Sequence, residues 1–247
     1  MIENRKENNQ QLKTNKYNPK GKVLKKAVVW ENLYFYRKSD AIYQLTVEFC
    51  RRFLPAHGDR TVDQMVQAAR SGKQNIIEGS EDGQTSSEIE IKLLNVARGS
   101  LQELRADYHD YLNTHHLALW PKDSERMQRL REFCHSHNDY SDYAPFIARM
   151  NDEEMANLVI TLCHQTDKMM CAYLKRLEKT FVEEGGIKER MYTARTGYRQ
   201  QQDARLKALE AENQRLRAEN AALKRKECVG GYNNRKAYDV IGKPILS

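Results

Sequence analysis

The stretch TSSEIEIKLLNVARGSLQELRADYHDYL, residues 85–112, decides the fold class. Ile89, Leu93, Ala97, Leu101, Leu104, Tyr108 and Leu112 recur at steps of three and four, the spacing that lines one face of an α-helix. TSSE at 85–88 offers a hydroxyl to the free N–H groups of the first turn, and Glu88 is placed to reach back to it.

The same periodicity extends outward in both directions. A second run starts near Asp59 and carries Val62, Met65, Val66, Ala69, Ile76 and Ile77, with Gly79 expected to end it as a left-handed C-cap. Ahead of it Tyr34, Ala41, Leu45, Phe49 and Phe53 form a further helix that Pro55 stops. On the C-terminal side a helix starts at Asn151 or Asp152. It runs through Met155, Leu158, Val159, Leu162, Thr166, Met169, Tyr173, Leu177 and Phe181 to Gly185-Gly186. Four amphipathic helices, each about 30–45 Å long at 1.5 Å per residue, predict an all-α, up-down four-helix bundle over residues 30–186.

The connection 113–150 contains Trp120-Pro121, a short helix expected at 122–136, and the aromatic loop NDYSDYAPF at 138–146. Tyr140, Tyr143 and Phe146 either stack on bases or pack over one end of the bundle, and packing is the expectation.

Composition narrows the class. The 247 residues include only 12 Gly and 5 Pro, against an all-β protein or a Gly-rich nucleotide fold. Apolar runs are a few residues long, so no membrane helix is expected, and MIENRKENNQ lacks the apolar core of a signal peptide. Five cysteines without a CxxC pair read as reduced thiols in a cytoplasmic protein.

The net charge of +7 is unevenly placed: residues 1–29 carry +6, 193–228 carry +4 and 229–247 carry +2, which leaves −5 for residues 30–192. The basic character thus belongs to the ends. Residues 1–29, rich in Asn, Gln and Lys and without apolar period, are expected to be a disordered basic arm. Such an arm is either a contact for RNA or DNA or a solvated tail, and the tail is the expectation.

Residues 187–228 form a suffix with its own pattern. With Leu209, Leu216 and Leu223 at d of a heptad, Leu206, Asn213 and Asn220 fall at a. In a parallel homodimer Arg205 then meets Glu210, Glu212 meets Arg217 and Glu219 meets Lys224 of the partner. Asparagine at a costs stability and favours an in-register pair. Residues 229–247 are expected to be a flexible tail.

The chain contains no Walker loop, GxGxxG, HExxH or GxSxG. Cys134-His135-x-His137 has metal-like spacing, with Cys163-His164 as the paired candidate for a further ligand, but Cys163 lies beside the core stripe and reads as a small buried hydrophobe. No catalytic residue, metal or cofactor is expected, and no enzyme.

SGKQNIIEGS at 71–80 and SEIEIKLLNVARGSLQEL at 87–104 carry a resemblance. Asn75, Ile76, Glu78, Gly79 and Ser80, followed by Leu94, Asn95, Ala97, Gly99, Ser100, Leu101, Glu103 and Leu104, resemble the four helix bundle protein family. That family includes bacterial proteins encoded in 23S rRNA intervening sequences and the accessory variability determinant of diversity-generating retroelements. The likeness covers about residues 31–183, and FVEEGGIKERMY at 181–192 resembles the subgroup with a suffix.

The resemblance implies a bundle assembled as a pentamer, and in retroelement members a partner reverse transcriptase and nucleic acid held by positive charge. On that reading Arg70, Lys73, Lys92, Arg98 and Arg105 are the candidate nucleic-acid contacts. Asn75, Glu78, Gly79, Asn95 and Gly99 read as structural: Gly99 to admit a neighbouring helix, and Asn75, Glu78 and Asn95 as a polar network. The expected function is a non-enzymatic homo-oligomeric scaffold, with a nucleic-acid-binding accessory factor of a reverse-transcriptase retroelement as the alternative.

Overall fold

The structure, a computed structural model, describes residues 23–25, 28–55 and 60–241, and of residues 227–241 the backbone alone. Most of the basic arm expected at 1–29 lies outside the described residues, as do residues 242–247 of the expected tail. Among the described residues the chain is all-helical and holds no strand. It divides into two compact units, residues 1–191 and 192–247.

In the first unit a 3-10 turn at Trp30–Asn32 leads into α1, Tyr34–Phe53. α2 spans Arg60–Asp82 and α3 Ser87–Thr114. Two short helices follow, α4 at Glu125–Ser136 and α5 at Tyr140–Ile147, and then α6 at Asp152–Glu184. α7, Ile187–Ile241, begins in this unit and continues through the second.

α1 packs on α2 and α6, and α3 packs on the same two, so these helices close a cycle; α4 lies on α6 and α5 on α1. Ile42, Leu45, Phe49, Met65, Ile76, Leu101, Leu104 and Leu162 fill the space between them. The ring of Phe49 meets Tyr108 and Tyr111 edge-on at 4.9 and 4.8 Å, the geometry that aromatic quadrupoles favour. The Tyr108 hydroxyl, fully buried, donates to Thr46 Oγ1 at 3.2 Å.

The helix ends follow local chemistry. At the start of α6 the Asn151 side chain accepts from the Glu154 N–H at 2.9 Å, while Glu154 Oε2 accepts from the Asn151 N–H at 3.0 Å. Gly185 takes φ 72°, a left-handed conformation that suits glycine, and ends α6. At α3 the cap is Ser86, whose hydroxyl accepts from the Ile89 N–H at 3.3 Å. Ile89 therefore occupies the third helical position, and Glu88 is one residue short of the reciprocal contact its spacing suggested.

Several expectations are corrected. Gly79 does not end α2: the helix runs three residues further, and Gly79 is buried against α3, where a Cβ would lie 3.2 Å from Leu93 Cβ. What marks Gly79 is close approach to α3 and not a left-handed turn. The expected loop at 138–146 is largely helical as α5. Asp142 Oδ2 accepts from the Asp139 N–H at 3.0 Å and forms the cap that starts it. Tyr34 and Ile89 face solvent, since burial in α1 begins at Phe35 and in α3 follows Glu90, Leu94 and Ala97.

α7 is helical through the expected coiled-coil segment and on through residues 229–241, which the sequence pattern alone assigns to a flexible tail.

Candidate functional site

The heptad positions of α7 form an exposed seam. Leu206, Leu209, Leu216 and Leu223 are 58, 47, 50 and 54% exposed, and every residue from Tyr198 to Lys226 is exposed. The leucines recur on one side of the helix because d positions are seven residues apart, close to two turns. Asn213 and Asn220 lie in the same seam, and Asn213 Nδ2 donates to the Leu209 carbonyl at 3.1 Å. The four leucines together form one apolar stripe open to water.

The five basic residues singled out from the sequence separate into three kinds. Lys73 is half-buried, pairs with Asp40 at 3.1 Å and lies 4.6 Å from the Tyr43 ring centroid. Arg98 Nε bridges α3 to α6 through Asp167 at 2.8 Å. Both charges are neutralised by a carboxylate of this chain. Arg105 is half-buried with Nη1 3.1 Å from His164 Nδ1. Burial first, then Arg105, His109 and Lys122, push the His164 pKa down against the pull of Asp167, and a guanidinium can only donate in this contact. Arg70 and Lys92 are exposed, on α2 and α3.

The motif residues are not joined into one network among the described residues. Asn75 Nδ2 donates to the Ser71 carbonyl at 2.9 Å, Asn95 Nδ2 to the Ile91 carbonyl at 2.9 Å, and Glu78 accepts from Gln74 at 3.2 Å. Each closes on its own helix. The polar contact between α2 and α3 is made instead by Ser100 Oγ and Ser71 Oγ at 3.1 Å. The glycine that admits a neighbouring helix is Gly72, whose Cβ would sit 2.8 Å from Leu101 Cγ and Cδ2. At Gly99, expected to serve that purpose, nothing lies within 4 Å.

Among the described residues no three His, Cys, Asp or Glu side chains gather as metal ligands. Cys134 and Cys163 are core residues, and burial pushes each thiol up to about 12. The His137 ring stacks on Phe133 at 4.0 Å. Tyr143 is buried, edge-on to Phe133 at 5.7 Å, and donates to the His137 carbonyl at 2.7 Å, so it packs as expected. Phe146 remains half exposed.

Two buried ionisable residues went unnoticed in the sequence. Lys38, 1% exposed, donates to the carbonyls of Cys134 and His137 at the end of α4, and burial lowers its pKa. Glu90, 2% exposed, accepts from the Tyr173 hydroxyl at 3.0 Å, and burial raises its pKa. The signal lay in the phase: Phe35, Lys38, Ile42, Leu45 and Phe49 share one helical face, as do Glu90, Leu94, Ala97 and Leu101.

A third set anchors the α3–α4 connection: the Trp120 indole donates to Glu153 at 2.8 Å, and the buried Asn157 amide accepts from Trp120 N–H and donates to the Ala118 carbonyl, both at 2.9 Å. Comparison with protein-family models, with curated proteins and with solved structures finds no match to this chain.

Proposed function

We propose that the chain is a non-enzymatic, homo-oligomeric scaffold, an up-down four-helix bundle over residues 30–186 whose C-terminal helix joins copies. One observation carries this reading: the exposed leucine seam at 206, 209, 216 and 223 on a helix with no buried residue from Tyr198 to Lys226. Such a helix gains its stability from a partner rather than from propensity. The cycle of α1, α2, α3 and α6 supports the bundle, and with the motifs at 71–80 and 87–104 it supports membership of the four helix bundle protein family. A cytoplasmic setting fits its cysteines, and no helix among the described residues is long and apolar enough to cross a membrane.

The test is absolute mass by light scattering on the full chain, on Leu209→Glu/Leu216→Glu, and on a version ending at Gly186. The full chain is expected above the mass of one copy, with a loss of mass in the double variant. A pentamer that survives truncation supports the family barrel, with α7 as an added connector. A full chain at the mass of one copy overturns the proposal.

The second reading, a nucleic-acid-binding accessory factor of a reverse-transcriptase retroelement, is favoured by Arg70 and Lys92. Both are exposed, and neither pairs with a carboxylate among the described residues.

A further inference from the structure

We propose that α7 pairs with α7 of a second copy of this chain, parallel and in register, along Leu206–Leu223. This deepens the scaffold reading and rests on its claim that α7 joins copies.

The orientation follows from what each arrangement places opposite what. A parallel pair sets like positions together, so Asn213 faces Asn213 and Asn220 faces Asn220 of the second copy. Each amide there meets an amide. The Nδ2 of Asn213 already donates one hydrogen to the Leu209 carbonyl, which leaves its second N–H and its Oδ1 for the partner.

An antiparallel pair that keeps the six seam residues together sets a against d, which puts Asn213 opposite Leu216 and Asn220 opposite Leu209. Both amides would then be buried against methyl groups with no hydrogen-bond partner, a costly arrangement.

The flanking charges agree. In the parallel pair Arg205 meets Glu210, Glu212 meets Arg217 and Glu219 meets Lys224, and the two-fold axis repeats each contact with opposite signs throughout. In the antiparallel pair Glu212 meets its own copy and Arg217 meets its own copy, two like-charge contacts at the centre of the seam.

The arginines also lack counterions at home. Neither Arg205 nor Arg217 has an acidic residue three or four positions away on its own helix, and neither forms an ion pair among the described residues. The glutamates of a second, parallel copy supply them. Asparagine at a also favours two strands over three or more.

The experiment uses the full chain with Cys228→Ser, so that the helix carries no other thiol. Gln202→Cys and Glu227→Cys place thiols at the d and a positions just outside the leucines and leave every seam residue intact. The two variants are mixed, exchanged and oxidised mildly, and the disulfide-linked peptides of a non-reducing digest are read by mass spectrometry, with light scattering on the unoxidised mixture. Parallel pairing is expected to give 202–202 and 227–227 covalent dimers and a loss of the mixed 202–227 species, because a disulfide forms only between adjacent Cα atoms.

A mixture in which 202–227 is the product overturns the orientation and leaves the scaffold reading standing. No covalent product from a sample that scatters as one copy removes both. No product from a sample above one copy assigns the joining surface elsewhere and overturns the inference alone.

Discussion

Lys38 Nζ donates a 2.7 Å hydrogen bond to the His137 carbonyl from a side chain that is almost wholly buried, tying α1 to the end of α4. The same ammonium donates to the Cys134 carbonyl, an acceptor in the last turn of α4 that the helix itself leaves unpaired. Its position next to the negative end of the α4 dipole offsets part of the cost of burial.

Lys38→Met keeps the apolar stem and removes the donor. The His137 carbonyl still accepts from the Tyr143 hydroxyl at 2.7 Å, so the Cys134 carbonyl is the one orphaned. The expected loss is roughly 1–3 kcal/mol, reduced by the relief of a desolvated charge. Burial places the folded-state pKa of Lys38 below its ordinary 10.5, so above that lowered value the unfolded chain binds more protons than the folded one. Wild-type stability relative to Lys38→Met therefore rises with pH across that window and is lost as pH falls through it. Urea unfolding at pH 7 and pH 9.5 measures the difference; a gap that narrows with pH contradicts the assignment.

Glu90 predicts the opposite slope. Its carboxyl is pushed up by burial, with the Tyr173 hydroxyl and Lys25 pulling the other way, so the folded state holds its proton above the ordinary value of 4.5. The stabilising contribution is present below that ordinary value and is lost as pH rises through the folded-state pKa. Glu90→Gln keeps the acceptor for Tyr173 and carries no charge. The variant is expected to be more stable than wild type at pH 7, with the gap closing toward pH 4 in thermal unfolding. A gap that widens on acidification counts against a desolvated carboxyl.

Two glycines in related motifs separate by what surrounds them. Gly72→Ala drives a methyl to within 2.8 Å of the buried Leu101 side chain, and overpacking of this kind costs about 1–3 kcal/mol. Gly99→Ala meets open space in mid-helix and is expected to stabilise by up to about 1 kcal/mol, the difference in helix propensity. Denaturant midpoints give both signs directly. If Gly99→Ala leaves the midpoint raised but lowers the assembled mass, the open face of α3 is a contact between copies.

The four long helices α1, α2, α3 and α6 and their order were legible because periodicity and breakers are local: Pro55, Asn151 and Gly185 act within a turn of where they stand, whereas α5, expected as a loop, and the end of α2, expected at Gly79, were not. The exact face was less so. The stripe expected from Ile89 holds from Ala97 onward, but at its start Ile89 is exposed and Glu90 and Leu94 are buried instead, while Gly72 and Gly79 of α2 lie against Leu101 and Leu93.

The ion pairs were not legible at all, since Asp40 and Asp167 stand 33 and 69 residues from Lys73 and Arg98 and only tertiary packing brings them together. The α7 seam was legible for the converse reason: its pattern lies entirely within one helix, and the structure adds only that the seam is open.

The split among the basic residues yields a test of the nucleic-acid reading. Lys73 and Arg98 are held by carboxylates of this chain, so a phosphate must compete with Asp40 or Asp167 for each. Arg70 and Lys92 have no such competitor among the described residues and lie exposed on adjacent packed helices. If the bundle binds a polyanion, Arg70→Ala/Lys92→Ala should weaken it at low salt. The dependence of log affinity on log salt should also flatten by about 1.4, at roughly 0.7 released counterions for each single-strand phosphate that the pair neutralises. Lys73→Met and Arg98→Met should leave that slope almost unchanged while lowering stability. Fluorescence anisotropy with a labelled single-stranded RNA at several salt concentrations reads the affinity and its slope, and urea unfolding reads the stability. Equal effects from the two pairs would mean that the contacts are not on this face, and an unchanged slope in all variants would leave the bundle without a role in binding.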